Sequence, residues 1–389
     1  MKKIPLVDNN ISKSDIKEII KFLKTNPRLS QGDKVKEFEK EFSSFLEVKH
    51  SVFVNSGSSA NLLMIYAMML SKKLKNKKVV VPAISWSTSV APLLHLGLEP
   101  IICDVDSDLC LNTTAFKAII KDHKPSALML VHPLGFGADM IEITKLCSEN
   151  DIVLLEDTCE SLGSDFRGMN LGTFGLMSTF SFFVSHHITS IEGGMICTDD
   201  DDIADILRMI RSHGWDRELS KEKQKDLRDR FNISEFEALY TFYYPAFNVR
   251  GTEINAVLGL KQLERVEDII CKREDNFWIY DKYMNENDLY AIEITGNHLI
   301  SNFAYPIIHH LKDKLVKALI KNGVECRPIV CGDISKQPFL KNRLKYDTNT
   351  PMAEMIDKYG FYVPNHPHLT DSDIKYVCDI IKSVVEEEK

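Results

Sequence analysis

The chain has 389 residues, of which 44% are hydrophobic and 27% are charged, an ordinary composition for a globular protein. This length exceeds what one hydrophobic core usually serves, so we expect one large domain and a smaller one. The formal net charge is −8 and there is no basic block, which argues against nucleic acid or an anionic membrane as a partner.

Three features of the sequence bear on the compartment. The first residues, MKKIPLVDNN, contain two lysines but no apolar segment after them, so we expect no signal peptide. No apolar run approaches the roughly 18 residues of a membrane-spanning helix. Nine cysteines are scattered without a C-x-x-C pair. This usage is typical of a reduced, cytoplasmic chain in which cysteine is mainly a small core residue.

Short β-branched segments alternate with helical patterns through the first half of the chain. The predicted strands are residues 79–85, 100–105, 127–133, 151–157, 178–183 and 194–199, and each is a nearly continuous apolar run. The predicted helices include residues 114–123, 138–150 and 202–213. This alternation predicts an α/β fold with a mostly parallel sheet wrapped by helices. Ligands of such sheets bind beyond the carboxyl ends of the strands.

Two later segments are helical in pattern. Residues 215–239 are charged, and they are either a pair of solvated surface helices or a mobile flap over the active site. From about Asn255, a long helical periodicity extends to residue 286 and could link two domains. We therefore place a large ligand-binding domain at residues 1–250. A smaller C-terminal α/β domain, with the linking helix, occupies residues 251–389.

The residues that follow the predicted strands include a candidate anion site. Gly57 and Ser58 lead directly into an apolar helix, whose first N–H groups and positive dipole end favour an anion. The alternative is that Ser58 or Ser59 only caps the helix. Trp86 follows the next strand, where it could stack on a planar ligand or simply pack.

Asp157 ends a predicted buried strand, and a carboxylate there needs a partner. A protonated pyridine nitrogen, a buried arginine or a helix cap would each serve. Glu160, three residues on, could face the same site.

Ser181 lies within a strand, and His186 and His187 follow it. Neighbouring loop residues rarely chelate one ion together, and no zinc-like spacing lies nearby, so we expect no metal. A core or capping histidine remains possible.

This order of features resembles the sugar aminotransferase family (DegT/DnrJ/EryC1/StrS), which has the aspartate aminotransferase fold and pyridoxal phosphate (PLP) as cofactor. The segments that carry the resemblance are LSQGDKVKEFEKEF (29–42), VNSGSSANLL (54–63), VPAISWST (81–88), VHPLGFGADM (131–140), LLEDTCESLG (154–163), AFNVRGTEINAVLGLKQL (246–263) and VPNHPHLT (363–370).

The resemblance implies a set of cofactor contacts. They would be Gly57, Ser58 and Ser181 at the phosphate, Trp86 on the pyridine ring, Asp157 at the ring nitrogen and Glu160 nearby. Asn248 would reach the phosphate from the neighbouring subunit, which implies a homodimer with shared active sites. An ionised carboxylate would keep the ring nitrogen protonated and make the ring a strong electron sink.

The substrate contacts are less completely specified. Arg250 is a candidate for the glutamate carboxylate, since a guanidinium binds a carboxylate bidentately, although an ordinary ion pair would also explain it. His213 could contact cofactor or substrate, and Arg327 could contact the sugar nucleotide. His187 either orients its neighbour, lines the pocket or packs in the loop.

The sequence departs from the aminotransferases at His186. In those enzymes, a lysine at this position holds the cofactor covalently and moves the proton. Imidazole cannot hold it, so PLP and its amine form (PMP) should bind non-covalently. Imidazole can still move protons, and its ordinary pKa of about 6.5 suits that task. The site would keep a base and lose a nucleophile.

A histidine at this position, with the pattern S-HH-IT-x-x-EGG, resembles the sugar 3-dehydratases of the family. These remove the C3 hydroxyl of a nucleotide-linked 4-keto-6-deoxy sugar. One branch carries an added iron–sulfur cluster, and the other needs only PLP and glutamate and releases ammonia and 2-oxoglutarate. They serve dideoxysugar biosynthesis for lipopolysaccharide O-antigens. Residues 211–226 contain no cysteine, which argues against the iron–sulfur branch. The expected substrate is GDP-4-keto-6-deoxy-D-mannose; a sugar 4-aminotransferase and a non-catalytic PLP-binding relative are the alternatives.

Overall fold

The computed structural model describes residues 2–8, 10–287, 289, 292, 294 and 299–388. Its helices are α1 (Lys13–Lys24), α2 (Asp33–Leu46), α3 (Gly57–Leu70), α4 (Ser87–His95), α5 (Thr113–His123), α6 (Met140–Glu149), α7 (Asp201–Arg211), α8 (Lys221–Phe231), α9 (Glu253–Leu263), α10 (Val266–Glu286), α11 (Lys312–Lys321), α12 (Pro351–Tyr359) and α13 (Asp371–Glu387). Its strands are β1 (His50–Val54), β2 (Lys78–Pro82), β3 (Glu99–Cys103), β4 (Ala127–Val131), β5 (Val153–Asp157), β6 (Asp165–Phe166), β7 (Met169–Asn170), β8 (Met177–Ser181), β9 (Gly194–Thr198), β10 (Ala304–Ile308) and β11 (Gly360–Pro364). Within this described part, no helix combines the length and the apolar character needed to cross a membrane.

A seven-stranded sheet lies at the centre of the molecule, in the order β1-β9-β8-β5-β4-β2-β3. Strand β9 is antiparallel to both of its neighbours, and the remaining adjacent pairs are parallel. All five residues of β4 and of β9 are buried, as expected for strands covered on both faces. The predicted mostly parallel α/β sheet is therefore confirmed.

Each strand predicted in the first half of the chain is present, with its ends displaced by a few residues at most. The same holds for the three helices predicted there, which are α5, α6 and α7. Strand β1 was not among the predicted strands. It is only five residues long and pairs with β9, from His50 opposite Thr198 to Val54 opposite Gly194. A short apolar run of this kind has no reliable period of its own.

The C-terminal part contains the antiparallel pair β10–β11, and α10 and α11 both pack on α13. The helical segment predicted from about Asn255 is two helices, because α9 ends at Leu263 and α10 begins at Val266. Ile4 forms a bridge with Val324, so the first residues lie against this C-terminal part. The division of the chain after residue 250 remains a prediction.

The charged segment 215–239 contains one α-helix, α8, whose N-terminus is capped by the Ser220 side chain. A single 3-10 turn, Glu237–Tyr240, follows it. The pair of helices predicted as one alternative is thus one helix and one turn. Around this turn, large apolar side chains face solvent: Phe236 is 82% exposed and Tyr240 is 77% exposed.

Candidate active site

A cavity of about 390 Å³ lies beyond the carboxyl ends of β1, β2, β4, β5 and β8, where the topology predicts a ligand site. The structure brings together seven of the predicted site residues in its wall. They are Gly57, Ser58, Trp86, Asp157, Glu160, Ser181 and His186. Trp86 stands at the start of α4 with half of its surface exposed, so one face of the indole is open to a ligand.

The predicted anion site forms one corner of the cavity, at the start of α3. The N-cap is Ser56, whose hydroxyl accepts from the Ser59 N–H at 3.0 Å. Neither serine proposed as the cap fills that position, and the Ser58 hydroxyl is exposed. Ser181 closes the corner, since a Cβ added to Gly57 would lie 2.6 Å from the Ser181 Cβ. Glycine is required here for the close approach of strand and helix.

Asp157 lies at the end of β5 and is 4% exposed. One carboxylate oxygen accepts from the Asn61 amide at 2.8 Å and the Ser89 hydroxyl at 2.7 Å, and the other accepts from the Cys159 N–H at 3.2 Å. All three donors are neutral. Among the described residues no cation forms an ion pair with it, which excludes the buried arginine considered as a partner. The carboxylate can therefore still neutralise a cationic ring nitrogen.

His186 has a defined tautomer. Its Nδ1 lies 2.7 Å from the Cys159 carbonyl, which can only accept, so Nδ1 carries the hydrogen and Nε2 is left as the basic nitrogen. Burial lowers the pKa of His186 to about 4, and the positive charge of Arg273 acts in the same direction. The hydrogen bond to Cys159 and the negative charge of Asp157 oppose that shift. The imidazole is thus neutral near pH 7 and ready to accept a proton.

Glu160 lines the same cavity, and one carboxylate oxygen accepts from the Leu134 N–H at 3.0 Å. Burial raises the pKa of Glu160 to about 7, and the negative charge of Asp157 raises it further, against the effect of the Leu134 N–H. Glu160 is therefore available as a proton donor near neutral pH.

His187 does not line the cavity. It is 1% exposed, and its Nε2 lies 2.9 Å from the Ser301 carbonyl. The ring of Phe303 packs on both imidazoles, with centroid distances of 5.2 Å to His186 and 6.2 Å to His187. Of the alternatives considered for this residue, lining the pocket is wrong in this structure, and contact with substrate remains a prediction. His187 packs behind the wall that Phe303 forms.

Besides His187, four predicted residues lie outside the cavity of this chain: Asn248, Arg250, His213 and Arg327. Arg250 donates from Nε to the Asn248 side-chain oxygen at 3.0 Å, and their segment runs beside the end of β1, where Asn55 N–H donates to the Val249 carbonyl. His213 packs on Trp215, with a centroid distance of 4.9 Å. Arg327 is exposed, and its backbone pairs with that of Tyr362, which does line the cavity.

A buried pair adjoins the predicted residues. The His132 Nε2 lies 3.1 Å from Glu156, and both side chains are fully buried. Glu156 also accepts from three backbone N–H groups, those of Gly172, Phe174 and Gly175. This network ties His132, which lines the cavity, to Glu156 of β5 and to the loop before β8.

These residues fit PLP. The corner at Gly57, Ser58 and Ser181 offers backbone N–H groups and hydroxyls for a phosphate. Asp157, buried among neutral donors, suits the ring nitrogen. No lysine is among the described residues that line the cavity, so no side chain of its wall can hold an aldehyde as a Schiff base.

Comparison with known proteins agrees with this geometry. Residues 9–382 match the description of the DegT/DnrJ/EryC1/StrS aminotransferase family. This chain belongs to that family. The match covers well over half of the chain, and the predicted resemblance is thereby confirmed.

Three relatives are particularly similar. The GDP-4-keto-6-deoxy-D-mannose 3-dehydratase of Yersinia pseudotuberculosis is 37% identical, over 98% of this chain and 99% of that protein. A crystal structure of GDP-4-keto-6-deoxymannose-3-dehydratase (ColD), a histidine-to-asparagine mutant with bound GDP-perosamine, is 34% identical with a TM-score of 0.90, over 97% of this chain and all of that one. Another structure of this dehydratase, with a trapped PLP-glutamate geminal diamine, has a TM-score of 0.89 at 34% identity, with the same coverage of both chains.

Sequence reasoning missed several residues of the site. Asn61 follows Gly57 by one helical turn, so helical spacing alone could have placed it on the same face. Phe303 and Tyr362 line the cavity but come from the C-terminal part of the chain. They carry no local pattern, since only the tertiary fold brings them to the strand ends.

Proposed function

We propose that this protein is a PLP-dependent lyase that removes the C3 hydroxyl of GDP-4-keto-6-deoxy-D-mannose. Glutamate supplies the amino group that makes the PMP form, and 2-oxoglutarate, ammonia and the 4-keto-3,6-dideoxy sugar nucleotide are released. The observation that carries the proposal is His186, a base with a free Nε2, at the place where aminotransferases of this family have lysine.

When bound, PLP supplies an aldehyde that exchanges amino groups and a ring that takes up electrons from the reacting carbons. Gly57, Ser58 and Ser181 hold its phosphate, and Trp86 covers the ring. Asp157 keeps the ring nitrogen protonated, which the buried neutral donors around the carboxylate permit. These contacts are made by side chains and backbone alone, so binding is non-covalent.

His186 takes up and returns a proton at Nε2, because Nδ1–H is committed to the Cys159 carbonyl. A primary amine at this position would compete for the aldehyde and help to return the amino group to the sugar. Imidazole performs the proton transfers without that competition. This is why one substitution in an aminotransferase fold favours loss of the hydroxyl over formation of an amino sugar.

The choice of substrate rests on relatives. The Yersinia enzyme carries this activity in its name and matches nearly the full length of both chains. The bound GDP-perosamine and the PLP-glutamate adduct of the ColD structures support a GDP-sugar and glutamate as the two substrates. Such a reaction belongs to dideoxysugar synthesis for the lipopolysaccharide O-antigen.

We further propose a homodimer in the cytoplasm. Asn248 and Arg250 lie beside the end of β1 but do not line the cavity of their own chain, which supports a role across an interface. The apolar side chains of Phe236 and Tyr240 face solvent in the same part of the chain and could be covered there. All nine cysteines are free, as expected in a reducing compartment.

The test is product analysis. The protein, PLP, glutamate and GDP-4-keto-6-deoxymannose are incubated together, and ammonium and the sugar nucleotide are measured. We expect ammonium in equal amount to a product that has lost the C3 oxygen. A 4-amino sugar without ammonium would instead identify an aminotransferase, and no PMP with glutamate would identify a non-catalytic relative. Parallel reactions with CDP- and dTDP-linked substrates test the preference for GDP.

A further inference from the structure

Arg273 of α10 is a buried cation without an anionic partner. It is 2% exposed, and among the described residues no carboxylate forms an ion pair with it. By contrast, the other fully buried arginine, Arg211, pairs with Glu39 and Glu218. Burial lowers the pKa of Arg273 to about 9, so its guanidinium remains charged at neutral pH. A buried charge of this kind acts strongly on its neighbours, because no opposite charge cancels it.

Backbone carbonyls hold this guanidinium. Its Nη1 lies 2.6 Å from the Asn365 carbonyl, 2.9 Å from that of Phe303 and 3.3 Å from that of Asn302. The segment around Phe303 is thereby fixed to α10. The same segment supplies the Ser301 carbonyl that binds His187.

The Phe303 ring contacts both Arg273 and the two histidines. The Arg273 Cζ lies 6.0 Å from its centroid, and the centroid of His186 lies 5.2 Å from it. Phe303 also lines the cavity, whereas Arg273 does not. Arg273 therefore packs, outside the cavity, on the same ring as the proposed base.

Other ionisable groups face His186 as well. Asp157 and Glu160 share its cavity, together with the exposed Glu192, and Asp157 favours protonation of the imidazole. The further ionisable groups of the wall or behind it are His132, Cys159, His187 and Tyr362. Burial lowers the pKa of His187 well below its usual range, and the charge of Arg273 contributes to that. Arg273 is thus the one fixed cation among these described groups. Its charge disfavours protonation of His186, whereas the charge of Asp157 favours it.

We propose that Arg273 is a positioning residue for the base: it fixes Phe303 against the His186 ring and places an unpaired positive charge beside that ring. The inference rests on the proposed function of His186 as a proton acceptor. It also gives His187 a place in the site, as a second neutral ring that packs on the same wall.

The protonation of His186 can be measured directly in the PMP-loaded protein, with histidine labelled at Cε1 for NMR. The His186→Asn variant identifies the signal. The titration is then repeated in Arg273→Gln, which removes the charge but keeps a hydrogen-bond donor, and in Arg273→Lys, which keeps the charge. Lys272→Met is the matched control, because it removes a positive charge from the neighbouring, partly exposed position of α10.

In the wild type we expect the His186 signal to remain that of neutral imidazole down to about pH 5. Arg273→Gln should raise its midpoint by about 1 unit, the usual spread of histidine pKa values among protein environments. The acid limb of the pH profile of kcat/KM should shift to higher pH together with this midpoint. In Arg273→Lys and Lys272→Met, the His186 midpoint and the acid limb should both stay near the wild-type values.

An unchanged His186 midpoint in a folded Arg273→Gln variant would overturn the proposal, as would a wild-type midpoint near 6.5. A wild-type midpoint near 6.5 would overturn the proposal even if Arg273→Gln did not fold. Because the titration needs no turnover, it remains informative if the protein forms an amino sugar or no product. Failure of the proposed function and failure of this inference are therefore distinguishable.

Discussion

The front and the rear of the cavity are built differently. The front consists of residues at or just beyond the ends of strands of the central sheet, such as Gly57, Asp157 and Ser181, and it offers the groups that fit the cofactor. The rear consists of Phe303 with Arg273 behind it, contributed by the C-terminal half of the chain. In the roles proposed above, the front binds the cofactor, whereas the rear sets the position and protonation of the base that acts on it.

The histidine doublet is where the two regions meet. His186 lines the cavity and has a free Nε2, whereas His187 is buried against the Ser301 carbonyl. Two residues of the same type, adjacent in sequence, thus differ in their access to the cavity, although both rings pack on Phe303. The comparison makes distinct predictions for each, from the largest expected effect to the smallest.

Replacement of His186 by Asn should have the largest effect on turnover. Asparagine keeps a polar group but cannot exchange a proton, so we expect ammonium release to fall by about 10²- to 10⁴-fold, the usual contribution of a general acid–base. Cofactor binding should change little, as equilibrium dialysis of PMP would show. Turnover within a few-fold of wild type would contradict the role of this imidazole.

Replacement of Asp157 by Asn tests the front of the cavity. The variant keeps a side chain of the same shape but loses the charge that faces the ring nitrogen. We expect PLP to bind about 10- to 100-fold more weakly, as for loss of a hydrogen bond to a charged group worth about 1.5–3 kcal/mol. Fluorescence titration measures this. If affinity and the rate of PMP formation both stayed at wild-type values, the carboxylate would not contact the cofactor.

Replacement of His187 by Ala tests the rear and should act mainly on stability. It leaves the Ser301 carbonyl without its donor in a buried place, so we expect a loss of about 1–3 kcal/mol in the free energy of unfolding. Urea unfolding measures the change. Stability equal to that of the wild type would show that His187 is not part of the rear packing.

The pH dependence of the free energy of unfolding tests the protonation of His186, and it is the smallest of the expected effects. The pKa of His186 is about 4 in the folded protein, whereas an unfolded histidine titrates near about 6.5. As pH falls, the unfolded chain binds this proton first. The neutral ring thus contributes its full stabilisation above about pH 6.5, and this contribution is lost progressively as the pH falls to about 4.

The His186→Asn variant should therefore lose less stability than the wild type between about pH 7.5 and about pH 5. One group can contribute a slope of at most about 1.4 kcal/mol per pH unit. Glu160, with a pKa near 7, contributes a slope of opposite sign in both proteins, so it cancels in the comparison. Equal losses in the two proteins would mean that His186 titrates normally in the folded state.

Most of the front was predictable because its residues stand at fixed offsets from strands. Asp157 ends an apolar run, and Gly57 begins an apolar helix, so local patterns place both at one edge of the sheet. Asn61 was missed although its spacing from Gly57 was informative. Asn248 and Arg250 were predicted from resemblance, and their roles remain proposals that depend on a second subunit.

By itself, the sequence determined the alternation of strands and helices, the edge of the sheet where a ligand binds and the replacement of lysine by His186. These follow from apolar periodicity and from motifs that are contiguous in the chain. Only the tertiary structure decided that His187 turns away from the cavity and that Phe303 and Arg273 stand behind it. The reason is physical: the protonation of a buried base depends on charges and packing from segments far away in sequence, which no local pattern records.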